Sequence, residues 1–596
     1  MGEQDLRSMI EDVRQGRLSR RGFVQRMAVV GVSAPAVWHL LAHAGVAQAA
    51  EAPAFNPTKA GGGGALKILF WQAVTLLNPH FAVGTKDQAG ARIFYEPLGG
   101  WDQDGNLYPV LAAEIPSREN GGLSADGTQV TWKLKPGVKW HDGAPFTADD
   151  VVFNWKFAMD PGTAAVSIGS YKAIKTVEKI DELTVRITFN EPTPFWADAF
   201  CGTYGMIIPQ HLFKDYMGDK SRDAPANLAP VGTGAYKFVE FRPGDFLRAE
   251  RNPDYHIPNR PFFDTLELKG GGDAVSAARA VMQTGEYDYA WNMQVEDEVL
   301  KRLEASGKGH VEMVWGGNIE MLMLNATDPN KEVDGERSSL KTQHPAFKDP
   351  AVRHAMHLLC DLGAMEKFIY GRTAKATANV LNGPPRFVSH SSKWEFNIAK
   401  ATKMLDEAGW KPGADGIRAK DGVALKFVFQ TSINAPRQKC QQVIKQACQK
   451  AGIALELKSI TASVFFSSDV ANPDTYTKFY TDLEMYTNTM MQPDPANFMR
   501  MFCSWDAASK ANKWQGTNVS RWQSPEYDKI FADAGKELDP VKRAAMFIRL
   551  NDMAVAEYCM PLLWRSTPNA VGTKIKVNES GWDAILADLV NWYREA

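Results

Sequence analysis

Cysteine is sparse in this chain. The six residues, at positions 201, 360, 440, 448, 503 and 559 of 596, form neither a C-x-x-C pair nor a zinc-ribbon spacing. Dithiol redox and structural-zinc motifs are thereby excluded, and buried free thiols are the expected state. An excess of one charge is also missing: 67 Lys and Arg stand against 69 Asp and Glu, a formal net charge of −2, so nothing argues for a nucleic-acid partner. Beyond the N-terminal region no stretch of about 18 uninterrupted apolar residues occurs, so the mature chain is read as soluble with no stable membrane anchor. Catalytic motifs are lacking too. Gly61 to Gly64 runs into Ala-Leu-Lys without the Gly-Lys-Ser/Thr end of a phosphate-binding loop, and Gly270 to Gly272 continues into Asp273 with no lysine. There is no G-x-S-x-G elbow. His354 and His357 lack the glutamate and spacing of H-E-x-x-H, and His141-Asp142 sits in a turn. The expectation is no enzyme, no catalytic residue, no metal and no cofactor. No internal repeat is visible.

What is present is ordinary soluble composition, 44% apolar and 23% charged, at a length that calls for two or three domains. Seventeen tryptophans are on the high side, and aromatic faces serve cores and solute clefts alike. At the N-terminus, Ser19-Arg20-Arg21-Gly22-Phe23-Val24 resembles the twin-arginine export motif, with Val24 for the usual Leu and Gln25 for the usual Lys. A mildly apolar segment, Ala28 to Leu41, follows. Containing Trp38 and His39, it is too short and too polar to span a bilayer. Ala47-Gln48-Ala49 then offers cleavage between Ala49 and Ala50. That combination predicts a cleaved signal and a periplasmic protein, and the resemblance to the twin-arginine motif implies that it is handed, already folded, to the twin-arginine export machinery.

Val130, Trp132 and Leu134 alternate with Thr131, Lys133 and Lys135, the period of a half-buried strand. Turns at Pro136-Gly137 and Asp142-Gly143 follow. Thr147 can then cap a helix carrying Asp149 and Asp150 in its first turn and ending before Asp160-Pro161-Gly162. Further on, a strand from Ala424 to Gln430, a helix from about Pro436 to Ala451, and a strand with Ile453, Leu455 and Leu457 read as a βαβ unit. The block Gly105 to Glu114 with Trp132 to Phe153 resembles the signature of family 5 extracellular solute-binding proteins, the peptide, nickel and oligosaccharide receptors of ABC importers. Gly232-Thr-Gly-Ala-Tyr-Lys237, Asn252-Pro-Asp-Tyr255 and Gly285-Glu-Tyr-Asp288 resemble elements of the same family.

The resemblance runs from about Leu66 to Val577 and implies an α/β, two-lobed periplasmic binding protein fold joined by hinge strands, with an extra inserted α+β domain. The expected division is a signal peptide over 1–49, a flexible linker over 50–65 and lobe I beginning at 66–99. An inserted subdomain spans 100–229, lobe I resumes over 230–315, lobe II covers 316–562, and 563–596 returns to lobe I. The implied function is capture of an oligopeptide or peptide-like solute by hinge closure and its delivery to an inner-membrane ABC permease complex, by a monomer. An oligosaccharide, opine or other modified solute is the alternative, and a secreted enzyme exported folded is the rival of a different class.

The family's D-P-x-x-F element appears as Asp494-Pro-Ala-Asn-Phe498. In peptide-binding members an Asp shortly before it holds the peptide α-ammonium. Three positions before Asp494 stands Met491, and Asp482 or Glu484 on the preceding strand could substitute. Tyr486, Met491, Gln492, Asp494, Asn497 and Trp505 are candidate ligand residues of this region, although core or solvated-loop roles compete for each. Trp71 and Asn78 are candidates because they follow the first strand, where α/β sheets bind ligands. Gly232, Thr233 and Gly234 are candidates because glycines allow close backbone approach.

Overall fold

The computed structural model describes residue 12 and residues 57–595, apart from 83, 467–470, 513 and 515. The export motif (Ser19, Arg20, Arg21, Phe23) and the cleavage pair Ala49 and Ala50 lie outside the described residues.

Strand β1 (Ala65–Phe70) is followed in the inserted region by β2 (Gln129–Lys133), helix α1 (Ala148–Met159), β3 (Ile174–Asp181) and β4 (Thr184–Phe189). In β2 the alternation seals Val130 and Trp132 inside and turns Gln129 and Lys133 outward. The expected helix cap forms as a capping box: the Thr147 side chain accepts from the Asp149 amide, and the Asp150 carboxylate accepts from the Thr147 amide.

The first lobe continues with β5 (Tyr236–Arg242), β6 (Phe246–Arg251), β7 (Thr265–Gly270), α2 (Ala274–Met282), β8 (Tyr289–Ala290) and α3 (Asp297–Glu304). The long strand β9 (Gly309–Leu324) leads into the second lobe: α4 (Pro350–Leu358), β10 (Ala374–Ala376), α5 (Ile398–Glu407), β11 (Lys426–Ser432), α6 (Ala435–Lys450), β12 (Ala454–Ile460) and β13 (Leu483–Met490). Helices α7 (Pro525–Ala534) and α8 (Pro540–Val555) precede the second long strand, β14 (Cys559–Gly572). The βαβ unit forms as the spacing predicts, with β11 and β12 parallel from Lys426–Ala454 to Ser432–Ile460. Asn434 caps α6, accepting from the Arg437 amide, and Pro436 occupies its first turn. The first strand starts at Lys426, two residues later than expected.

The strand order β12-β11-β13-β9-β14-β8-β1-β7-β6-β5, with β10 on β14, runs through both lobes. β9 and β14 are the strands they share. Their antiparallel register holds from Gly309–Gly572 to Trp315–Ser566, shifts, and resumes from Ile319–Trp564. The shift is a bulge that bends the ribbon where one lobe ends and the other begins. Glycine is required there. A Cβ on Gly316 would lie 2.2 Å from the Gly581 carbonyl oxygen, and one on Gly317 would lie 2.3 Å from that of Met490. All six cysteines are buried and free.

Candidate functional site

The carboxyl ends of β1 and β8 in the first lobe point toward those of β11 and β13 in the second, as loops at strand ends must if a cleft is to open between two α/β sheets. Trp71 follows β1, stacks on Trp291 at 6.4 Å and donates its indole N–H to the Asn292 carbonyl at 3.0 Å. Across the gap, Asn434 at the start of α6 donates to Gln294 at 3.4 Å, and the Lys439 ammonium meets Glu296 at 2.8 Å. Nearer the hinge, Arg372 of the second lobe clasps Asp297 at 2.8 Å and also Glu304, both on α3. On the opposite flank, Gly105 packs on Pro384 and Pro493, and Gly383 packs on Trp582. Asn497 donates to Asp198 at 3.4 Å. Burial pushes the Asp198 carboxyl up to about 6, only partly opposed by the neighbouring polar side chains of Gln492, Ser170 and Asn497. The lobes therefore touch on both sides of the cleft.

The floor is made by the shared strands and β13. Fully buried Glu320 accepts from Arg437 Nε at 2.8 Å, from Arg565 at 3.3 Å and from the Thr487 hydroxyl at 2.7 Å. Burial raises the Glu320 carboxyl, but the two guanidinium groups outweigh it and hold it below the usual range. Beside it, the Thr489 hydroxyl donates to Asn318 at 2.7 Å, and Asn318 donates to Thr567 at 3.0 Å. Trp315 and Trp564 pack at 4.7 Å, with the Lys375 ammonium 4.5 Å from the Trp315 ring.

Of the residues singled out from sequence, Asn497 and Gln492 lie beside Asp198 where the lobes meet, Trp71 stands at the end of β1 and half-buried Met491 directly follows β13. The others have structural partners. Asn78 is fully buried, donates to Asn227 at 2.7 Å and accepts from the His80 amide at 2.8 Å. Gly232 and Gly234 pack against the Phe94 backbone, and Thr233 donates to Glu96 at 2.9 Å. Their close approach is to the protein's own chain. Tyr486 is buried against Tyr476 at 5.2 Å. Asp494 is held by both Arg543 terminal nitrogens, one at 2.9 Å, and accepts from the Ala496 amide, so it stabilises the loop. Trp505 lies 60% exposed against Phe531.

Neither substitute carboxylate reaches the cleft. Asp482 accepts from the Val428 amide at 2.7 Å and bonds His344 at 3.0 Å. Glu484 is fully buried beside Gln430, and burial raises its carboxyl well above the usual range despite Gln430 and Arg521. The residues that sequence reading missed are Glu320, Arg437 and Arg565. A charged residue inside an apolar strand, as in Ile319-Glu-Met-Leu and Leu563-Trp-Arg565, was the available signal. Among the described residues no group of three His, Cys, Asp or Glu side chains is placed to hold a metal ion. None of their helices is long and apolar enough to cross a membrane.

Two lobes, two shared strands with a bulge between them and a cleft at the facing strand ends define a binding protein of the periplasmic type. The chain belongs to the bacterial extracellular solute-binding proteins, family 5, whose middle-region model matches residues 106–510. It is 27% identical over 393 residues to the glutathione-binding protein GsiB of Pectobacterium atrosepticum, covering 65% of this chain and 68% of that one. It is 26% identical over 478 residues to the oligopeptide-binding protein AppA of Bacillus subtilis, with 77% and 78% covered. Its fold is similar to that of NikZ from Campylobacter jejuni in complex with Ni(L-His), at a TM-score of 0.72 and 21% identity, covering 89% of this chain and 99% of that one.

Proposed function

We propose that this chain is the periplasmic substrate-binding component of an ABC importer, which captures an oligopeptide or peptide-like solute and delivers it to an inner-membrane permease. The observation that carries the reading is the pair of shared strands, β9 and β14, with lobes that meet on both flanks of the cleft. A solute bridging both lobes binds the closed form better and shifts the population toward it, so no covalent chemistry is needed. Trp71, Met491, Gln492 and Asn497, together with Trp291, are the proposed contacts. The relatives that bind glutathione and oligopeptides support a peptide-like solute. Met491, with Asp482 bonded to His344 and Glu484 sealed within the second lobe, favours a second reading, an opine or other modified solute.

Export through the twin-arginine machinery with cleavage after Ala49, the domain division expected from sequence and a monomeric state belong to the same proposal. Six buried free thiols fit a protein folded before it meets an oxidising compartment. The test is native mass spectrometry of the purified protein for retained solute, followed by a thermal-shift screen. Solute at 100 times its dissociation constant should add about 2.7 kcal/mol of stability and be recovered chemically unchanged. A screen in which no peptide, opine or saccharide raises the melting temperature would refute the receptor reading. Turnover of the bound solute would favour the enzyme.

A further inference from the structure

The network on the cleft floor holds more positive charge than the fold uses. Two guanidinium groups, Arg437 and Arg565, face one carboxylate, Glu320, and their other partners are hydroxyls. Arg437 employs all three nitrogens: Nε toward Glu320, Nη1 toward the Ser432 hydroxyl and Nη2 toward the Thr487 hydroxyl, each at 2.8 Å. Arg565 employs one. Its Nη1 donates to Glu320 at 3.3 Å and to Thr487 at 2.6 Å, while Nε and Nη2 have no hydrogen-bond partner among the described residues. Yet the residue is only 9% exposed. These two donors are not sealed off from solvent, so an arriving acceptor can reach them. Nε and Nη2 lie along one edge of the planar group, the fork that a carboxylate accepts with both oxygens.

The location suits a bound solute. Arg565 stands on β14 where the pairing with β9 is interrupted, next to Ala374 of β10, so it lies where the two lobes join. Around it Thr487, Thr489, Asn318 and Thr567 supply hydroxyls and one amide, and the Lys375 ammonium on β10 adds positive charge over Trp315 and Trp564. Of the carboxylates nearby, Asp482 is bonded to His344, Glu484 is sealed beside Gln430 inside the second lobe, and Asp297 and Glu304 are taken by Arg372.

We infer that Arg565 is the docking residue for a carboxylate of the solute, so that this receptor takes organic anions, and a free α-ammonium finds no counter-charge on the floor. This rests on the reading of the chain as a solute receptor. The test uses full-length mature protein with trialanine, N-acetyl-trialanine, N-acetyl-trialanine amide and citrate as probes, measured by calorimetry and thermal shift. The N-acetylated acid should bind on the order of 10- to 100-fold more tightly than its amide, the range for hydrogen bonds to a charged group. Arg565→Gln should abolish that preference, and Arg565→Lys should restore part of it. Melting curves without solute establish that each variant is folded. Should Arg565→Gln fail to fold, the acid–amide comparison in the wild type and Arg565→Lys carries the test. An amide as tight as its acid, an Arg565→Gln protein that keeps the preference, or no response to either the N-acetylated acid or citrate overturns the inference. Binding of the amide would still leave the receptor standing. A protein that answers no probe and releases no solute on denaturation fails as a receptor altogether.

Discussion

Glu579 shows how one residue of the C-terminal segment couples stability to pH. Its carboxylate accepts from the Tyr289 hydroxyl at 2.8 Å and from the Asn569 amide at 2.9 Å, which ties that segment to β8 and β14. Burial pushes its carboxyl from 4.5 up to about 7, and those two hydrogen bonds only partly oppose the shift. A carboxyl raised in the folded state contributes stability that is full below its unfolded value and lost as pH rises through the folded one. Glu579→Gln, a stand-in for the protonated acid, should therefore match the wild type near pH 4 and melt progressively higher than it between pH 5 and 7. Thermal melts across that range check this, and a constant gap between the two proteins would contradict it. The same scale accounts for what Asp494 does in its loop. Both its oxygens are committed to Arg543, and no reading of D-P-x-x-F alone places an arginine from α8 beside it.

Among the elements, α1 is the one whose local chemistry is most complete. Its capping box, acidic first turn and stop before Pro161 all follow from neighbouring residues. Thr147→Ala removes the side-chain acceptor for the Asp149 amide and should cost about 1 kcal/mol in urea unfolding. Because α1 belongs to the inserted scaffold, solute affinity should be unchanged. A loss of affinity equal to the loss of stability would show that the subdomain takes part in binding. The hinge strands behave oppositely. Their apolar runs predict strands, but the bulge at Gly316 and Gly317 depends on Gly581 and Met490, which lie far away in the chain.

At the scale of the molecule, the contacts between the lobes bear on the balance between open and closed forms. Arg372 binds Asp297 and Glu304 across the lobes, and Lys439 meets Glu296. The Lys439–Glu296 pair is partly exposed, so it contributes modestly and is weakened by salt, whereas Asp297 is buried and its pair with Arg372 is screened less. Arg372→Ala should favour the open form, raise the radius of gyration of the solute-free protein in X-ray scattering and weaken solute binding. The wild type at high salt should move in the same direction. Identical scattering from both proteins would place the closing force elsewhere.

The family, the α/β class, the βαβ unit and the capped helix were legible in the chain because each depends on residues within a few positions of one another. Periodicity, capping and turn chemistry are local, and a signature block is a linear pattern. The cleft floor was not legible. Glu320, Arg437, Thr487 and Arg565 come from four separate segments, and their meeting depends on strand register and on the packing of α6 across the sheet. Nor could sequence tell that Gly232 and Gly234 approach the Phe94 backbone instead of a solute, since a glycine permits close approach without naming its partner. The sequence by itself determined what kind of receptor this is. Tertiary structure decided which charges are spent on one another and which, like the idle edge of Arg565, are left over, because charge compensation in a buried site is a property of neighbours in space.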